Sequence, residues 1–355
     1  VIIEGVLQEH VRGGAFPTEL MGLPGIDQLR LFLTDQAPNP PISYLTGMHP
    51  TEIGAGSATF VMPISPWLST PQGLWTAGAI AILADGPLGC AIQTLLPPAT
   101  GYTTTDLSIN LVRPVPRTGH LIARARVVHG GRRMALSEVS VTNDDGRLIA
   151  HGTSRCVIFP PVPDVPSPPA EIPVLAAEDD GWIPPYRRPV QGVVLDQETW
   201  ASRSGLEVMQ ALIAGELPLS PISHLVGMRP IEASEGSCAF SMPTSPWLTS
   251  PSGFVLGGVT ACLADVVLGA AIQTTVPAGT ALAPTDLRVQ FIRPVPPDGG
   301  SIIARADVVH RGRGMAASRA EVTNEQGKLL ALASASAVIL PGRRADLGDA
   351  APILG

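Results

Sequence analysis

Two carboxylates stand inside the most apolar stretches of the chain. Asp85 ends the run Thr76-Ala77-Gly78-Ala79-Ile80-Ala81-Ile82-Leu83-Ala84-Asp85, and Asp265 ends Leu256-Gly257-Gly258-Val259-Thr260-Ala261-Cys262-Leu263-Ala264-Asp265. An acid among apolar neighbours is costly unless it is paired, hydrogen-bonded or open to a pocket, so each is a candidate site residue. The structural alternative is that each satisfies loop amides or a neighbouring arginine such as Arg113 or Arg293. The small residues Ala77-Gly78 and Gly257-Gly258 open the two runs and let a ligand oxygen approach the backbone. Free N–H groups at a helix start stabilise negative charge developing on a carbonyl oxygen. Eight residues separate Ala77 from Asp85, roughly 12 Å along a helix, so one carbonyl group cannot touch both. Such a site closes only if the helix start of one segment meets the aspartate of the other, as in two antiparallel helices about a pseudo-two-fold axis.

A duplication supplies that partner. At an offset of 180 residues, Ser65-Pro66-Trp67-Leu68 recurs as Ser245-Pro246-Trp247-Leu248 and Arg113-Pro114-Val115-Pro116 as Arg293-Pro294-Val295-Pro296. Between 41–116 and 221–296, 39 of 76 positions are identical without a gap, so the length of 355 residues reads as one unit written twice. The copies extend back to Gly25-Ile26 and Gly205-Leu206, where a short amphipathic helix is expected. Within each copy the pattern predicts a hairpin (turning at Gly54-Ala55-Gly56), a helix buried all round (Thr76 to about Leu96, and 256–276), then strands. Leu121, Ala123, Ala125 and Val127 alternate as the buried face of one strand, and Asn143-Asp144-Asp145-Gly146 and Asn324-Glu325-Gln326-Gly327 read as hairpin turns. The expected boundaries are an extension 1–24, a first domain 25–159, a proline-rich linker 160–190, a second domain 191–341 and a tail 342–355.

Composition removes other function classes. A net charge of -7 without a basic cluster, and 4% aromatic residues, exclude a dedicated nucleic-acid binder. The one lysine, Lys328, lies in a turn, which excludes a Walker-type nucleotide site and pyridoxal Schiff-base chemistry. His10, His49, His120, His129, His151, His224 and His310 show no metal spacing, so no metal is expected, and there is no G-x-S-x-G elbow. Cys90, Cys156, Cys238 and Cys262 are far apart and read as buried reduced thiols. With no signal-peptide pattern and no uninterrupted apolar span, a cytoplasmic protein off the membrane is expected.

The Leu256–Asp265 stretch resembles the H-G-G-x-x-x-x-L-x-D signature of hotdog-fold acyl-CoA thioesterases of the phenylacetate-degradation type. Thr285-Asp286-Leu287, Phe291-Ile292-Arg293-Pro294-Val295, His310-Arg311-Gly312-Arg313 and Gly327-Lys328-Leu329-Leu330-Ala331 are similar to that family's strands. The resemblance covers most of both copies. It implies an α+β fold of two tandem hotdog domains, each an antiparallel sheet wrapped around a long central helix, forming an intramolecular pseudo-dimer. It further implies an aspartate as nucleophile or general base, an oxyanion amide at the second motif position, and a strand hydroxyl that orients water. Carried over by position, Asp85 and Thr104 would face Gly257 and Ser250, and Asp265 with Pro284 would face Ala77 and Thr70. The motif histidine is replaced by Thr76 and Leu256, the family's loop asparagine falls on Thr70 and Ser250, and Pro284 has no hydroxyl. The Asp85 site is therefore expected to be the better preserved and the Asp265 site the degenerate one.

The expected function is hydrolysis of an acyl-CoA thioester to free acid and coenzyme A within fatty acid metabolism, with coenzyme A entering as substrate and no separate cofactor. Gly78, Gly258, Arg132 and Arg313 are candidates for contacting the coenzyme A moiety. Pocket depth is expected to depend on Trp75, Phe254, Leu88 and Val267, and two chains are expected to associate through sheet edges or faces. The alternatives are a non-catalytic acyl-CoA or lipid binder of the same fold, hydratase chemistry, for which no aspartate–histidine pair stands at a suggestive spacing, and a scaffold with no ligand.

Overall fold

A computed structural model describes residues 5–176 and 180–343. The first repeat runs α1 (Gly25–Arg30), α2 (Pro41–Thr46), β1 (His49–Gly54), β2 (Ser57–Pro63), α3 (Ala77–Gln93), β3 (Tyr102–Leu111), β4 (His120–Gly130), β5 (Met134–Asn143) and β6 (Leu148–Ile158). The second adds one helix, α4 (Gln197–Ser202). It then repeats the order: α5 (Gly205–Ala214), α6 (Pro221–Val226), β7 (Arg229–Ser234), β8 (Ser237–Pro243), α7 (Gly257–Gln273), β9 (Thr280–Phe291), β10 (Ser301–Arg311), β11 (Met315–Asn324) and β12 (Leu329–Pro341). Most of the expected tail 342–355 lies outside the described residues.

Each repeat is the antiparallel sheet around a central helix that its residue pattern requires. The strands alternate: Leu121, Ala123 and Ala125 of β4 are buried and Val127 half-buried, while Arg124 and Arg126 between them are exposed. α3 is apolar on every side and buried on every side, with Ile80, Ile82, Leu83 and Leu88 fully enclosed. Pro87 removes one N–H from the ladder of α3 without ending the helix. The two six-stranded halves join through β3 and β9 into one sheet, ordered β1-β2-β4-β5-β6-β3-β9-β12-β11-β10-β8-β7 among the described residues. At that seam Ser108 pairs with Arg288, its own equivalent 180 residues later, so the pseudo-two-fold axis passes through this pair.

The linker lies along the first repeat, with Leu175 N–H on the Asp35 carbonyl and the Gln36 side-chain amide on the Ile172 carbonyl. The N-terminal extension crosses to the second repeat: Phe16 N–H donates to the Pro251 carbonyl, and Trp247 Nε1–H to the Glu9 carbonyl. Trp182 of the linker stacks on Trp247 with centroids 6.0 Å apart, and Glu9 pairs with Arg188. All four cysteines are free thiols. Cys156, Cys238 and Cys262 are buried, while Cys90 is half-buried rather than fully enclosed as its sequence context predicts. Among the described residues no helix is long and apolar enough to cross a membrane.

Candidate active site

α3 and α7 lie antiparallel with their starts overlapping, and paired glycines set the distance between them. A Cβ on Gly258 would fall 2.3 Å from the Ala81 carbonyl oxygen, and one on Gly78 would fall 2.7 Å from Cys262 Cα, so neither position has room for a side chain. This approach carries each aspartate to the opposite helix. Asp85 Oδ2 accepts the Gly258 N–H at 2.9 Å, and Asp265 Oδ2 accepts the Gly78 N–H at 2.9 Å. Neither helix receives a cap from its own preceding side chain, Thr76 or Leu256. The carboxylate of the other repeat serves as the cap and meets the positive end of the helix dipole. Arg113 and Arg293 are engaged elsewhere, on the carbonyls of Leu148 and Leu329 at strand ends.

The cross-repeat meeting is therefore present, with the contact shifted by one residue. The amide on each carboxylate is that of Gly78 or Gly258. The N–H groups of Ala77 and Gly257, one position earlier at the first residue of each helix, make no hydrogen bond to another described residue. Gly257 adjoins Asp85, since a Cβ placed on it would lie 2.8 Å from Asp85 Oδ2. A helix start that presents one occupied and one open amide beside a carboxylate has the parts to polarise a carbonyl group and to accept a proton next to it.

Burial sets the ionisation of both acids. It raises the pKa of Asp85 to about 6, against the lowering effects of the Gly258 amide and the Thr104 hydroxyl. It raises that of Asp265 to about 6 as well, against the Thr76 hydroxyl and the Gly78 amide, with the nearby Asp286 adding a small upward push. The Thr76 hydroxyl is buried beside this carboxylate and lowers its pKa, yet it makes no hydrogen bond within the described residues. Thr76, the residue in place of the motif histidine, thus supplies a polar group toward Asp265.

The two aspartates differ in the space around them. A cavity of about 90 Å³ opens beside Asp265, lined on its polar side by Thr70, Thr76 and Ser223 and on its apolar side by Met209, Leu212, Phe240 and Leu282. Pro284 lines it too, so Asp265, Thr70 and Pro284 come together as their positions require. Around Asp85 the strand hydroxyl of Thr104 is in place, and its oxygen also lies 3.8 Å from Cys156 Sγ. Ser250 turns into its own loop, onto Ser252 Oγ at 2.8 Å and the Phe254 carbonyl. The residue pattern ranks the Asp85 site first on polar groups, whereas the open volume lies at Asp265.

Of the residues expected to set pocket depth, Leu88 and Val267 are fully buried core residues and Phe254 is exposed; α7 lines the cavity with Val266, Gly269 and Ala270 among others, and Leu74 lines it in place of Trp75. The sequence reading missed Trp200, Met209 and Leu212. Trp200 belongs to α4, upstream of the detectable repeat, and the alternation of α5 signalled only a buried face. Arg132 and Arg313 are exposed in the β4–β5 and β10–β11 turns. The first of these turns packs near Leu95, beyond the end of α3, roughly 15 Å along the helix from Asp85.

A family model described as the thioesterase superfamily matches residues 72–150 and 252–331, one segment in each repeat. The tesB protein of Mycobacterium avium subs paratuberculosis superposes with a TM-score of 0.54 at 15% identity, over 85% of this chain and 98% of that one. An acyl-CoA thioesterase II, TesB2, from Mycobacterium marinum gives 0.50 at 14% identity, over 84% and 97%. A protein described as having the hot dog fold, from Alicyclobacillus acidocaldarius, gives 0.51 at 14% identity, over 84% and 97%. These similarities establish the tandem hotdog fold across the described chain. A comparison with curated protein sequences gave no match.

Proposed function

We propose that the chain is a thioester hydrolase whose substrate is an acyl-CoA and that hydrolysis runs at Asp265; the thioesterase-superfamily model that matches one segment in each repeat and the tandem hotdog fold support the reaction class. The observation that carries this reading is the cavity bounded by Asp265, Thr76 and apolar walls at the start of α3. The substrate class follows the activity named for the M. marinum neighbour.

In this reading the acyl group lies against Leu282 and Met209, and the thioester carbonyl points at the Ala77 N–H. Asp265, held in place by the Gly78 amide, takes a proton from a water as the water oxygen attacks the carbonyl carbon. The tetrahedral oxyanion is stabilised by the Ala77 N–H and the helix start. Collapse breaks the C–S bond, and the proton on Asp265 passes to the departing coenzyme A sulfur, leaving the free acid. The Thr76 hydroxyl orients the water, the role assigned by resemblance to a strand hydroxyl that Pro284 cannot supply.

The test is release of free thiol from a panel of acyl-CoA esters of graded chain length. The wild-type chain is expected to release thiol from at least one ester, and Asp265→Asn to slow that reaction by about 10²–10⁴-fold, the usual weight of a general base. No thiol release from any ester would overturn the reading. The loss of histidine at both Thr76 and Leu256 favours a second reading, a non-catalytic acyl-CoA binder, and recovery of intact thioester from the purified protein would support it.

A further inference from the structure

The Asp85 end of the molecule keeps the strand hydroxyl, Thr104, that Pro284 cannot supply to Asp265, and one side chain sets the space beside it apart from the cavity at Asp265. Gly89 and Gly269 are equivalent in the two repeats, each one helical turn beyond its aspartate. A Cβ on Gly269 would meet nothing within 4 Å, and Gly269 lines the cavity. A Cβ on Gly89 would fall 2.6 Å from the Tyr102 hydroxyl and 3.0 Å from its ring. Tyr102 begins β3, and its equivalent at the start of β9 is Leu282, which lines the cavity instead of filling it. Cys90 and Cys156 stand beside Tyr102 where the second repeat has Ala270 and Ala337, both of which line the cavity. Strand pairing fixes the second equivalence: Cys156 lies opposite Thr104 and Ala337 opposite Pro284.

We infer that the first repeat holds a latent second acyl-thioester site, complete in Asp85, Thr104 and the open Gly257 amide, and shut by the Tyr102 side chain. The inference rests on the acyl-CoA reading of the Asp265 site. It makes residue 102 and its counterpart 282 the positions that decide whether each end of the chain takes an acyl group. A tyrosine lies over the helix surface that the acyl chain would occupy, whereas a leucine leaves that surface open. Cys90 and Cys156 tighten the fit around the ring.

The experiment is calorimetric titration of the full chain with S-hexyl-coenzyme A, a thioether that binds as an acyl-CoA and cannot be hydrolysed. Wild type and Tyr102→Phe are expected to bind one equivalent per chain, Tyr102→Leu two, and Leu282→Tyr none. In an Asp265→Asn background, Tyr102→Leu is expected to raise thiol release by tenfold or more, on the order of what a positioned general base contributes at the low end. Adding Asp85→Asn should remove that gain. The Asp265-dependent activity of Tyr102→Leu itself reports that this variant is folded. Two equivalents bound by wild type, one bound by a folded Tyr102→Leu, or unchanged binding by Leu282→Tyr would each overturn the inference. If Tyr102→Leu does not fold, the Leu282→Tyr arm decides. No binding by wild type would overturn the acyl-CoA reading and the inference with it, and is distinguished by failing before any substitution is made.

Discussion

At the scale of the residue, the account turns on two carboxylates raised to a pKa of about 6 by burial. In the proposed mechanism Asp265 acts only when ionised, so kcat/KM for acyl-CoA hydrolysis is expected to fall as pH drops through about 6 and to level off above it. Thr76→Val removes a group that lowers this pKa, so its pH–rate inflection should move upward; an unchanged inflection would separate Thr76 from Asp265. Asp85 has the same linkage in stability. Its pKa is higher in the folded chain than the ordinary 3.8, so the folded state holds the proton more tightly and stability declines as pH rises from about 4 to about 6. Asp85→Asn keeps an oxygen for the Gly258 amide and removes the buried charge. It should therefore be more stable than wild type at pH 8 by up to about 3 kcal/mol, with the gain gone by pH 4, as read from denaturant midpoints at the two pH values. Both aspartates were legible in the sequence because an acid inside an apolar run is conspicuous. The cavity was not, because Tyr102 and Leu282 act across the sheet on glycines 13 residues earlier, and Trp200 lies outside the repeat.

At the scale of the element, the site exists because two helices cross at paired glycines. Gly258→Ala would place a Cβ on the Ala81 carbonyl, and the helices would have to separate. A loss of about 1–3 kcal/mol is expected from overpacking of this kind, measured by urea denaturation. Gly78→Ala should in addition slow hydrolysis, since the Gly78 amide holds Asp265; full activity in that variant would contradict the role given to the amide. The pattern places the first helix at Thr76 to about Leu96 and the structure ends it at Gln93. Apolar periodicity continues through Leu95 and Leu96, so hydrophobicity gives no stop. Pro97-Pro98 and Pro277 lie just beyond the two helix ends and cannot continue them; the Thr94 and Thr274 hydroxyls there receive the N–H groups of Gly56 and Gly236 in the hairpin turns. The prolines are a local signal for the stop, whereas the contact between a helix end and a distant hairpin turn has none.

At the scale of the whole molecule, the chain is a dimer interface made internal, with β3 and β9 hydrogen-bonded at the seam and the linker and N-terminal extension packed across both halves. The duplication made this arrangement legible, since an aspartate and a helix start too far apart within one copy need a second copy. The clasp of Trp182 on Trp247 was not legible, because Trp247 belongs to a marked segment of the repeat while its partner Trp182 lies in the linker, which has no counterpart in the repeat. A fragment spanning 191–341 would expose the β9 edge, and a bare edge pairs with another strand. It should sediment as a homodimer, and a stable monomer would contradict the seam as the driving contact. The central claim is that hydrolysis belongs to Asp265 of the second repeat acting with the helix start of the first. Its most direct test is kcat/KM for the best acyl-CoA ester, measured side by side for wild type, Asp265→Asn and Asp85→Asn. The account predicts a loss of about 10²–10⁴-fold for Asp265→Asn and a rate within a few-fold of wild type for Asp85→Asn. An equal loss in both variants, or the larger loss in Asp85→Asn, would contradict it.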